Sequence, residues 1–373
     1  MDRRAIVADT GNHLGGAMAY EDEQQHEDAP QDAPKESFPE ALRVTELPEL
    51  RDPLLVAAFA GWNDAAGSAT WAVHFLVDRW GARRFAEIEP EEFFSFSDTR
   101  PQTRLTNGVV REIIWPSNEF YYARAPEPPP VGTRSRRRSE PSRDMILLLG
   151  TEPNLRWKTF NKIITDLCQR LKVQRVALLG GLLADVPHTR PVPITAASTT
   201  NDLADQLALL GMARSKYQGP TGILGVLHDA CRQANIPALS LWGAAPHYLT
   251  VSPNLQVSAA LLSRLNEVLD LRVNLRELLA GASHFQERVS TVVAQDPEAA
   301  NYVRQLEDRL ALGLEDDAPS GTEPEQAVAG ESRPRSSGEL PSADVLIRDI
   351  EELLRQNRRS SSNDEEQDEE SGE

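Results

Sequence analysis

Four short stretches gather most of the side chains in this chain that could do chemistry. They are Gly61-Trp62-Asn63-Asp64, Gly150-Thr151-Glu152-Pro153-Asn154, the run from Gly180 to Arg190 (GGLLADVPHTR), and Gly243-Ala244-Ala245-Pro246-His247-Tyr248. Between them they supply three carboxylates (Asp64, Glu152, Asp185), two imidazoles (His188, His247), one guanidinium (Arg190) and one indole (Trp62), and a second indole, Trp242, stands just before the last of them. An aspartate or histidine in such a set moves protons. Arg190 would hold an anion and an indole would stack a base. That chemistry fits an enzyme or binder of a small molecule. Every residue also has a purely structural use. Asp64 suits the cap of the helix it precedes, and Trp62 and Trp242 suit a core. His188 and His247, each beside a proline, suit bonds to loop backbone, and the Gly180-Gly181 pair suits close packing.

Complete catalytic signatures are missing. Gly219-Pro220-Thr221-Gly222 lacks the Lys-Ser/Thr of a phosphate loop, and Gly180-Gly181-Leu182 lacks the third glycine of a dinucleotide fingerprint. No serine sits in GxSxG, neither cysteine has an activating setting, and the seven histidines form no HxxxH or HExxH pair. The expectation is therefore a protein without metal or cofactor, and more an interaction module than an enzyme.

What places the four stretches is a series of buried strands. LLVAAFA (54–60), MILLLG (145–150), RVALLGG (175–181) and IPALSLWG (236–243) are continuous apolar runs of strand length, the pattern of strands covered on both faces. Between and after them come helical patterns over 65–80, 155–171, the stretch following Thr200-Asn201, the GPTGILGVLHDACRQA segment, and 252–271. RRFAEI, VVREIIW and FYYAR alternate more and read as exposed or antiparallel strands. Alternating β and α elements predict a three-layer αβα, Rossmann-like domain over 50–271 with a mainly parallel sheet. In such a sheet, loops at the carboxyl ends of strands share one rim, and ligands collect there. A helical subdomain over 272–312 follows, with Asp296 and Pro297 as a helix start.

The ends differ from this middle. Net charge is −18 overall; residues 1–50 carry −8 and residues 313–373 carry −12, which leaves +2 for residues 51–312. The near-neutral middle argues against a nucleic-acid partner. Residues 1–49 are expected to be a disordered acidic lead-in and 313–373 an acidic disordered tail. Within that tail, 342–359 (SADVLIRDIEELLRQNRR) has an apolar stripe of Leu346, Ile350, Leu353 and Leu354, the mark of an amphipathic helix that either folds back on its own domain or binds a partner protein. Residues 125–144 are Pro- and Arg-rich and are expected to form a flexible insertion. Two lone cysteines, no apolar membrane span and no apolar leader segment lead us to expect a cytoplasmic protein with no membrane contact.

Five ordered blocks then carry a resemblance: AGWNDAAGSA, GTEPNLRW, GGLLADVPHTRPVPITAAS, GPTGILGVL and PALSLWGAAPHYL. Together they resemble the actinobacterial branch of the proteasome assembly chaperone 2 family over about residues 50–310. The resemblance implies a phosphorylase-like α/β fold without known catalysis, followed by helices and assembled as a homo-oligomer, with a trimer favoured. That fold analogy, together with the polar corners, makes a nucleoside- or phosphate-binding hydrolase or phosphorylase-like enzyme the alternative expectation. It also implies proteasome subunits as partners. Relatives often engage them through a hydrophobic-tyrosine-any-residue tail, whereas this sequence ends Glu370-Ser371-Gly372-Glu373. The helix at 342–359 thereby becomes the expected contact.

Overall fold

A computed structural model describes residues 38–106, 110–125, 143–249 and 251–312. A nine-stranded sheet organises them, in the order β1-β3-β6-β7-β2-β8-β11-β9-β10. The strands are β1 (Leu42–Val44), β2 (Leu54–Ala60), β3 (Arg83–Ile88), β6 (Asn118–Ala123), β7 (Met145–Thr151), β8 (Arg175–Ala184), β9 (Ile194–Ser198), β10 (Ala213–Arg214) and β11 (Ala238–Pro246). β4 (Gln102–Thr106) and β5 (Val110–Ile114) form a separate antiparallel ribbon. The sheet is parallel at its centre, where β7, β2, β8 and β11 run the same way. Towards its edges antiparallel pairs join on, β6 with β7 at one side and β9 with β11 at the other.

The alternation in β2 explains the layers. Leu54, Val56 and Ala58 face one apolar core, while Leu55, Ala57 and Phe59 face the other. Both are sealed, since Val56 through Phe59 are fully buried. Helices α1 (Ser68–Trp80), α3 (Asn201–Leu209) and α5 (Leu255–Leu269) cover the first core; α2 (Trp157–Arg170) and α4 (Ile223–Gln233) cover the second. Each fully buried Leu or Phe contributes roughly 1.5–3 kcal/mol of transfer free energy, so these central strands hold the sheet together. Helices α6 (Arg276–Gln295) and α7 (Pro297–Ala311) form a hairpin with a smaller core of Val289, Val292, Val293, Val303 and Leu306 around Tyr248 and Leu249. Asp296 accepts from the N–H groups of Glu298 and Ala299 at the start of α7, the cap expected from its sequence.

The structure corrects several boundaries. Order begins before residue 50: β1 pairs with β3, and Leu42 is buried in the second core. The strands β8 and β11 run past the ends expected for them at Gly181 and Gly243, so Leu182 to Ala184 and Ala244 to Pro246 lie in strands rather than loops. In β11 burial continues from Gly243 to Pro246, and Val257 and Leu261 of α5 lie against Gly243. In the 125–144 insertion, residues 126–142 lie outside the described residues. Its two ends are tied together by Asp144, which accepts from the N–H groups of Ala125 and Arg51, both at 2.7 Å.

Candidate functional site

The first stretch is built around a turn that only glycine adopts easily. Gly61 has φ +129° and lies against Glu152, so the chain leaves β2 and reverses. Asp64 is buried three residues later, and its carboxylate accepts from the N–H of Ala69 at 2.6 Å, from the N–H of Thr70 at 3.4 Å and from the Thr70 hydroxyl. It therefore caps the first turn of α1, as its residue type suggests. Burial pushes the Asp64 carboxyl above its ordinary range, against the hydrogen bonds that favour its charged form. The backbone of the corner is stitched to β8: Gly181 donates to the Asn63 carbonyl at 2.8 Å, and Asp64 bridges Gly181.

Glu152, after β7, ties three segments together. Its carboxylate accepts from the Trp62 N–H at 3.2 Å, the fully buried Asn63 amide at 2.7 Å and the Ile223 N–H at 2.7 Å. The last is the first residue of α4, so the negative charge also lies at a helix N-terminus. The GPTG stretch thus delivers a helix start to an internal carboxylate. Beside Glu152 opens a solvent-facing groove of about 580 Å³, bordered by Gly61, Asp98, Thr99, Asn154 and Trp157. Trp62 stands at its edge, 52% exposed.

The other half of the rim is closed by the α6–α7 hairpin. His188 is buried; its Nδ1 lies 2.8 Å from the Tyr248 hydroxyl and its Nε2 3.1 Å from Ser290 Oγ. Burial lowers the His188 pKa to about 4, so the imidazole is neutral at ordinary pH. His247 lies 2.9 Å from Asp185 and 3.1 Å from the Tyr302 hydroxyl. Asp185 also faces Arg309 at 3.7 Å, and Glu307 takes both Thr189 and Arg190. The space among His188, Arg190 and their neighbours is about 10 Å³, room for a single water at most.

The four stretches therefore share one edge of the sheet but separate into two clusters. Trp62, Asn63, Asp64 and Glu152 meet, with Gly181 behind them. Asp185, His188, Arg190 and His247 meet the hairpin instead. Trp242 and Gly180 belong to neither, because the indole lies on Gly180 within the second apolar layer, where a Cβ on residue 180 would come within 2.5 Å of the ring. The expectation that Trp242 lines a rim pocket is corrected on that ground. The partners Ser290, Tyr302, Glu307 and Arg309 were not foreseen; their only advance signal was the helix start at Asp296. Leu346, Ile350, Leu353 and Leu354 lie outside the described residues. Among the described residues no group of three or more His, Cys, Asp or Glu could hold a metal, and no helix is long and apolar enough to cross a membrane.

Comparison with known proteins supplies the relatives. A profile of the PAC2 family matches residues 58–293. A PAC2 family protein from Streptomyces avermitilis is 39% identical, with a TM-score of 0.58, covering 68% of this chain and 100% of its own. A proteasome-assembly chaperone homologue from Mycobacterium tuberculosis is 40% identical, with a TM-score of 0.57, covering 67% of this chain and 99% of its own. A Mycobacterium tuberculosis protein of unknown function shares the fold, at a TM-score of 0.64 and 24% identity, covering 74% of this chain and 93% of its own. No curated protein matches.

Proposed function

The chain belongs to the PAC2 family, and from that membership we propose that it is an assembly-chaperone-like protein acting by surface contact with proteasome components rather than by catalysis. One observation carries the reading. The carboxylates and imidazoles on the rim are bonded to their own fold: Asp64 to α1, Glu152 to the 61–64 corner and α4, His188 and His247 to the hairpin and its neighbours. The kind of partner comes from the relative described as a proteasome-assembly chaperone homologue. Self-association, with a trimer favoured, and a cytoplasmic setting belong to the same proposal, as does contact through the 342–359 segment. The alternative, a nucleoside- or phosphate-binding enzyme, draws its support from the open groove beside Glu152 alone.

Crosslinking with mass spectrometry in native lysate of the source organism tests this directly. Proteasome subunits should be recovered, and their links should fall with deletion of residues 342–359. Failure to recover any, with intact rings present, would count against the proposal.

A further inference from the structure

The β4–β5 ribbon pairs with no strand of the main sheet. A two-stranded ribbon is marginal in water unless one of its faces is covered. Here the register places Thr103 opposite Ile113 and Leu105 opposite Arg111, which puts those four on one face; alternation adds Trp115 to it. Leu105 is 58% exposed, Ile113 51% and Trp115 49%, so this face presents a run of large apolar groups around a single cation. Only Trp115 is anchored, edge-on to Phe96 with ring centroids 4.8 Å apart. Apolar groups that cluster rather than scatter mark a contact surface.

A matching surface lies at the rim. The groove beside Glu152 is bordered by Asp98, and Trp62 and Leu155, both about half exposed, adjoin its lining residues Gly61 and Asn154. The Glu152 charge meets only N–H donors, and among the described residues neither Asp98 nor Arg111 has an ion-pair partner. One surface is thus apolar with a cation, the other apolar with two carboxylates. Within one chain the root of the ribbon lies near the groove, with Trp115 on Phe96, but the ribbon starts four residues after Asp98, and a paired five-residue strand, about 17 Å long, is too stiff to turn Leu105, Arg111 and Ile113 back onto that root.

We infer that the apolar face of the β4–β5 ribbon seats in the Asp98–Glu152 groove of a second copy of this chain, with Arg111 opposite the two carboxylates. Donor and acceptor patches that differ make head-to-tail contacts, which close into rings when the rotation between copies closes and extend into filaments when it does not. The inference rests on the self-association proposed above and names the surface that performs it.

The test is native mass spectrometry and light scattering of the full chain as wild type, Arg111→Glu, Asp98→Lys and the double variant. The wild type should be multimeric. Each single variant should weaken association at least ~30-fold, the low end of what breaking a buried charge pair costs. The double variant should recover it, which also shows that the singles fold. Ile113→Ser tests the apolar part without a charge change and should weaken association too. A multimeric wild type with unaffected single variants, or single-variant losses that the double variant does not repair, overturns the ribbon contact and leaves self-association standing. A wild type that is monomeric at every concentration overturns both.

Discussion

The two halves of the rim carry similar side chains and use them differently. On the β2–β7 side, carboxylates receive backbone N–H groups and the surface beside them stays open. On the β8–β11 side, imidazoles are covered by a helical hairpin and the space is closed. The difference follows from what each half lies against. Asp64 and Glu152 stand at the starts of α1 and α4, where orphan N–H groups and the helix dipole favour negative charge. His188 and His247 stand under α6 and α7, where the hydroxyls of Ser290 and Tyr302 arrive from far along the chain. A concentration of titratable residues at a sheet edge can therefore answer the fold's own needs: one half here meets helix starts and the other meets the α6–α7 hairpin.

Substitutions should separate the halves. The largest effect is expected from Glu152→Ala, which removes three hydrogen bonds to a charged acceptor and leaves the Asn63 amide buried without that partner. A loss on the order of 4 kcal/mol in urea unfolding is predicted, with Glu152→Gln intermediate. Next is the pH response of the closed half. The folded-state pKa of His188, about 4, lies below the ordinary 6.5, so its contribution is full above pH 6.5 and is lost as pH falls towards 4. The size of that loss is about 3 kcal/mol, and unfolding measured across this window should show a slope that His188→Gln flattens. Asp64→Ala should cost about 1–2 kcal/mol through the lost cap, seen as a lower midpoint with an unchanged denaturant slope. The smallest effect belongs to Arg190→Ala: its 3.7 Å pair with Glu307 is half-exposed and should change stability by under about 1 kcal/mol. An Arg190 effect as large as that of Glu152 would erase the distinction between the halves.

Much of this was legible in the sequence, and the exceptions have physical causes. The central strands announced themselves because both faces are buried and the residues read as unbroken apolar runs. Asp64 and Asp296 announced themselves because capping is local: the accepting side chain and the donating N–H groups lie within six residues. β1 was missed because only Leu42 and Val44 are apolar in a polar stretch, and β9 because Ile194 to Ser198 is mostly small residues. β4 was missed because it is exposed and carries no burial pattern. The pairing of His188 with Ser290 spans 102 residues, and nothing local to either encodes it. The two cysteines are buried free thiols, and burial raises both, Cys231 to about 12, so thiol labelling at pH 8 should proceed only as fast as the chain unfolds.

The central claim is that the rim's polar groups serve the fold. A thermal-unfolding screen of the full chain against nucleosides, nucleotides and inorganic phosphate tests it most directly, because a ligand at a hundred times its Kd adds about 2.7 kcal/mol, some 5–10 °C for a domain of this size. A flat response at millimolar concentrations is predicted. A saturable rise abolished by Glu152→Gln, in a variant that still melts cooperatively, would contradict it and return the rim to chemistry.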